Sequence, residues 1–185
     1  MQALLTPDKA VVRTAASGVD WSTCHWFALY TRSRHEKVAE EELCRKGLET
    51  FLPLRTVTRH WSDRKKIISE PLFPGYLFVR ASLQDRWSIL GARGIVRFVG
   101  ASAARPALVP EKDLAAIRKF MDEGIRIDPF PYLHEGARVY VRAGAFKGTE
   151  GFIIRKDTHC RLIISIQSLM KSVAIEIDQA CVEPI

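Results

Sequence analysis

Five histidines and four cysteines are the residues of this chain with the widest chemical reach, and their spacing decides what they can do. Cys24 and His25 are adjacent, as are His159 and Cys160, while His35, His60, His134, Cys44 and Cys181 stand apart. Neighbours on an extended strand point to opposite faces, so neither adjacent pair is preformed as a chelate or as a nucleophile with its base. There is no C-x-x-C pair and no short cysteine ladder to hold zinc or build a disulfide framework. The residues predict no catalytic site, no metal and no cofactor, with the thiols reduced. A binding function remains, and charge and aromatic residues must carry it.

The net charge is +7. Residues 25–122 hold 18 Lys and Arg against 11 Asp and Glu, whereas residues 132–185 hold 7 against 6. A surface for a polyanion is therefore expected before residue 122. At 185 residues and 47% hydrophobic content the chain has enough apolar material for one ordinary domain or two small ones. Its apolar runs are only a few residues long, and MQALLTPDKAVVRTAASGVDW has no basic cap followed by an apolar core. The expectation is a cytoplasmic monomer.

The elements that would position these residues change character midway. Residues 1–24 mix small and polar types and read as a mobile tail. WFALY suits a strand buried on both faces, and Arg34 to Lys46 a helix closed by Gly47. Thr50 to His60 and IISEPLF read as a hairpin with a basic tip at Arg59 to Lys66, followed by a strand from Tyr76 to Arg80. A short helix from Asp85, the strand RGIVRFVG and a helix opened by Pro110 complete an α+β domain over 25–122: an antiparallel sheet flanked by helices, without a phosphate-binding glycine loop. Pro129 and Pro131 mark a linker over 123–136. From 137 to 185, ARVYVRAG, GFIIRK, RLIISI and VAIEID are short β-branched runs between turns, which predicts a small five-stranded β-barrel.

Four segments in this order resemble the NusG family: WFALYT, SEPLFPGYLFVR, RGIVRFVG with ARPALVP, and VRAGAFKGTEGFI. The first domain resembles its amino-terminal (NGN) domain, and the second an SH3-like KOW domain. Phe73, Pro74, Gly75 and Tyr76 stand at the F-P-G-Y signature, and Gly144, Phe146, Gly148 and Gly151 at the KOW motif. The resemblance implies a transcription elongation or antitermination factor that binds the clamp helices of bacterial RNA polymerase. It suppresses pausing or termination without catalysis. Pro74 and Gly75 would form a turn presenting Phe73 and Tyr76 as anchors, with Tyr30 and Phe98 as further walls. Arg32, Arg45, Lys46 and Arg93 fall on segments that lie beside upstream or non-template DNA in this family. The segment Asp85 to Ser88 would make a second polymerase contact.

In the family's general factor the KOW domain binds the helicase Rho or a small-subunit ribosomal protein through an apolar loop. Here Ser168, Leu169 and Met170 occupy that loop, and Leu169 stands where an aromatic is common. The pattern resembles specialised paralogues of the RfaH or UpxY type. Some RfaH-like proteins hold this segment as helices, but the β-branched runs predict a standing barrel. The other reading left open by the residues is an RNA- or ribosome-binding KOW protein with no polymerase contact.

Overall fold

The computed structural model describes residues 19–60, 65–102, 104–132, 136–156 and 159–185. Most of the expected tail, residues 61–64 of the basic hairpin tip and His134 lie outside the described residues.

The first sheet is built around β1 (His25–Thr31), which follows from its sequence: an unbroken apolar run can be stable only if both faces are covered. After α1 (Glu36–Arg45) come β2 (Glu49–Phe51), the hairpin β3 (Leu54–His60) and β4 (Lys65–Pro71), and β5 (Tyr76–Ala81). The short α2 (Arg86–Leu90) leads to β6 (Ile95–Phe98), the small ribbon β7 (Gly100–Ser102) with β8 (Arg105–Pro106), and α3 (Glu111–Asp122). The four-stranded sheet has the order β2-β5-β1-β6, antiparallel throughout, and β3 and β4 form a separate two-stranded ribbon.

Period-two alternation sorts the side chains into two cores. Phe27 and Leu29 of β1, Leu77 and Val79 of β5, and Phe98 of β6 pack with Ala39 and Leu43 of α1 and Ile89 of α2. On the opposite face Trp26, Ala28 and Phe78 pack with Leu114, Ile117 and Phe120 of α3. Arg118 of α3 lies over the Phe51 ring at 4.9 Å.

The second sheet begins inside the stretch expected as a linker. β9 (Asp128–Phe130) joins β10 (Ala137–Val141), β11 (Glu150–Lys156), β12 (His159–Ile166), β13 (Lys171–Ile177) and β14 (Val182–Pro184) in the order β14-β10-β11-β12-β13-β9. The five strands expected over 137–185 are all present, and the proline-containing segment expected as a linker adds a sixth along β13. Pairing that would close it into a barrel is not seen among the described residues. Gly151 must be glycine on steric grounds, since a Cβ there would sit 2.5 Å from the Ile163 carbonyl oxygen of the neighbouring strand.

The apolar cluster under α3 continues into Val139, Leu162, Ile164 and Val173 of this sheet. Phe146 meets Phe120 edge-on, with centroids 4.7 Å apart. Around that contact Lys112 pairs with Glu150 at 3.2 Å, and Lys119 donates to the Lys147 carbonyl at 3.4 Å.

Candidate functional site: an aromatic turn and a basic rim

The F-P-G-Y segment is a β-turn. The Tyr76 amide donates to the Phe73 carbonyl at 3.0 Å, and Gly75 adopts φ +82°. Proline at the second position and a left-handed glycine at the third are the residues a type II turn requires. Its orientation is fixed from two sides. The Gly75 carbonyl accepts from the Thr31 amide at 2.9 Å, and the Gly75 amide donates to Oε1 of Glu36 at 2.8 Å. Glu36 is 7% exposed and opens α1, where unpaired backbone amides favour a carboxylate.

This frame brings Tyr76 beside Tyr30, with ring centroids 5.5 Å apart in an edge-on arrangement. The Arg97 guanidinium lies 5.5 Å from the Tyr30 ring. Tyr30 is 39% exposed and Tyr76 half-buried. Burial, reinforced by Tyr30, pushes the Tyr76 phenol above its ordinary range, while Arg97 opposes the shift. The result is an uncharged two-ring platform with a cation at its edge.

Two residues assigned to this platform from sequence are placed elsewhere. Phe98 partners Leu29 in the ladder, whereas Arg97 partners Tyr30. One register step sends a side chain to the opposite face, so Phe98 is 2% exposed and packs on Phe27 at 5.7 Å. Phe73, also 2% exposed, turns inward against Phe78 at 5.9 Å and anchors the turn from below.

The segments that carry the four basic residues are bonded to one another. Arg32 donates its backbone amide to Gly94 at 2.8 Å, and Arg93 donates its own to Glu42 Oε2 at 2.9 Å. Lys46 Nζ donates to the Ser88 carbonyl at 2.7 Å and lies 3.7 Å from Glu42 Oε1. The end of α1, the start of α2 and the loop before β6 therefore form one rim carrying Arg32, Arg45, Lys46 and Arg93, all exposed. Trp87, at the same rim, was named only as part of a segment. It is 70% exposed and has the Arg86 guanidinium 4.7 Å from its ring. An indole among polar neighbours in a short capped helix was the available signal.

In the second sheet Gly144 and Gly148 adopt φ +80° and +94°, as turns around Phe146 demand. Of the expected partner loop, Leu169 is 5% exposed and the Ser168 hydroxyl is buried without a hydrogen-bond partner. Met170, held at φ +51°, is the residue presented to solvent, at 45% exposure. Among the described residues no three His, Cys, Asp or Glu side chains are grouped to hold a metal ion. His25 and His35 bond locally, to the carbonyls of Asp20 and Ser33, each at 2.9 Å.

The family model for "Transcription termination factor nusG" matches residues 24–118, from just before β1 into α3. The chain belongs to the NusG family. It is 25% identical over 181 residues to the transcription termination/antitermination protein NusG of Borreliella burgdorferi, covering 86% of this chain and 98% of that one. It is 29% identical over 148 residues to the corresponding protein of Streptococcus pyogenes serotype M1, covering 72% and 82%. A solved structure described as "Domain interaction in Thermotoga maritima NusG" superposes with a TM-score of 0.53 at 18% identity, covering 90% of this chain and 99% of that one, which supports the shared fold.

Proposed function

We propose that this chain is a polymerase-binding elongation factor of the specialised, antiterminating kind, acting in the cytoplasm by binding and not by catalysis. The observation that carries the reading is the Tyr30–Tyr76 platform, held at the sheet end by a turn whose Gly75 amide and carbonyl are both bonded to the neighbouring elements. Exposed rings on a rigid frame lose little entropy on docking, which suits them to receive the clamp helices of RNA polymerase. The rim of Arg32, Arg45, Lys46 and Arg93 offers phosphate contacts to the displaced non-template strand or to upstream DNA. Trp87, within the segment assigned to the second polymerase contact, reaches out beside that rim.

A factor touching both sides of the polymerase cleft suppresses pausing by favouring the closed state, to the extent that it binds that state more tightly. The second sheet recruits a partner, a ribosomal protein or Rho, on the side that exposes Met170. The test is retention of purified bacterial RNA polymerase by the full chain and by Tyr76→Ala. Loss of an interface anchor costs about 2 kcal/mol, a roughly 30-fold weakening. Equal retention by both proteins, with the variant folded by circular dichroism, would overturn the platform's role. No retention by either would shift the reading to an RNA- or ribosome-binding protein.

A further inference from the structure

Glu42 stands where elementary electrostatics would not put it. It lies in the last turn of α1, where the helix dipole favours a cation, on the segments that carry Arg32, Arg45, Lys46 and Arg93. Both of its oxygens are engaged. Oε2 accepts the Arg93 amide at 2.9 Å, and Oε1 lies 3.7 Å from Lys46 Nζ, one turn further along. Lys46 then reaches α2, donating to the Ser88 carbonyl at 2.7 Å. The loop before β6 is pinned again at the next residue, where the Gly94 carbonyl accepts the Arg32 amide at 2.8 Å. Gly94 adopts φ +92° and packs so closely on His35 that a Cβ would come 2.8 Å from the His35 Cβ. Segments 32–35, 42–46 and 88–94 are thus tied together, and Glu42 is the side chain that holds the third of them to α1.

A carboxylate that merely sat in this rim would repel a phosphate strand. One whose oxygens meet an amide and an ammonium is neutralised in place, and what it supplies is position. We propose that Glu42 is the positioning residue of the nucleic-acid rim: it fixes the backbone from which Arg93 projects, and with it the spacing of Arg93 from Arg32 and Arg45. Cations held at set separations meet a charged backbone at less entropic cost than mobile ones. Lys46 carries the same constraint to Ser88 in α2, and hence to its neighbour Trp87. The role rests on the reading of the rim as a surface for nucleic acid.

The full chain and three variants are titrated against a labelled oligothymidine of about 15 nucleotides, by fluorescence polarisation at several salt concentrations. Charge alone and positioning predict different orders. If Glu42 acted only as a charge, Glu42→Gln and Glu42→Ala would both bind more tightly than wild type, and Glu42→Asp would equal it. As a brace, Glu42→Gln keeps an acceptor for the Arg93 amide and sheds the charge, so it should bind at least as tightly as wild type with the same salt slope. Glu42→Asp keeps the charge but withdraws the acceptor by one methylene. It should bind about fivefold more weakly in about 0.1 M salt, with a slope shallower by about 0.7, the share of one phosphate contact. Glu42→Ala should also bind more weakly than wild type, although it removes a negative charge. The aspartate is a mild change at a partly exposed site, so the comparison does not depend on how well the alanine variant folds. Glu42→Asp equal to wild type, Glu42→Ala tighter than wild type, or Glu42→Gln as weak as Glu42→Asp would each overturn the proposal. No binding by wild type, or binding that joint replacement of Arg32, Arg45 and Arg93 by Gln leaves unchanged, would overturn the reading of the rim itself and the role of Glu42 with it.

Discussion

Glu36 is the test of whether the signature turn is placed by the fold or merely by its own residues. Its carboxylate accepts the Gly75 amide at 2.8 Å from a position 7% exposed. Glu36→Ala leaves that amide without its acceptor, and a hydrogen bond to a charged group contributes about 1.5–3 kcal/mol. With a urea dependence of about 2 kcal/mol/M, the unfolding midpoint should fall by about 1 M. Glu36→Gln keeps an acceptor oxygen in place and should lose roughly half as much. Polymerase retention should follow the same order, wild type above Gln above Ala, because a looser turn no longer holds Tyr76 against Tyr30. Equal midpoints for the Gln and Ala variants would show that the oxygen does no positioning. Full stability of both would refute the reasoning outright.

Phe98→Ala removes a buried ring from the core shared with Phe27 and should cost about 3–5 kcal/mol in a denaturation assay, in contrast to the small stability cost of Tyr30→Ala. Replacing Arg32, Arg45 and Arg93 together by Gln should make the salt dependence of single-stranded DNA binding shallower by roughly 2, at roughly 0.7 per lost phosphate contact, as read by fluorescence polarisation across salt concentrations. Burial pushes the Asp113 carboxyl up to about 6, in a cleft between α3 and the second sheet. A carboxyl raised in the folded state opposes folding once it must ionise, so its penalty grows as pH rises from about 4 to above about 6. Asp113→Asn should match wild type near pH 4 and exceed it by about 1–2 kcal/mol near pH 7, after discounting for partial exposure, in paired urea titrations.

The unbroken apolar run of β1 and the switch to short β-branched runs after residue 136 were enough to read an antiparallel sheet with helices followed by a second sheet, because both patterns record how a strand is covered. The turn was legible for the same reason: Pro74 and Gly75 admit few conformations. Phe98 was misplaced because sheet face depends on register, and the irregularity between Tyr30 and Thr31 is invisible in residue types. Phe73 and Leu169 were expected outside for their chemistry, yet both fill space that only the tertiary packing creates. β9 was unreadable as a strand, since two prolines in seven residues ordinarily signal a connector. Trp87 asked for a judgement on solvent exposure that no local pattern contains.

Phe120 and Phe146 make α3 a helix with two clients, one sheet on each flank. Cutting the chain anywhere between them strands an aromatic ring in water on each fragment, one on the helix and one on the turn that faced it. Fragments made for binding assays should therefore be stickier than the parent protein, and a polar replacement at both rings belongs in their design from the start.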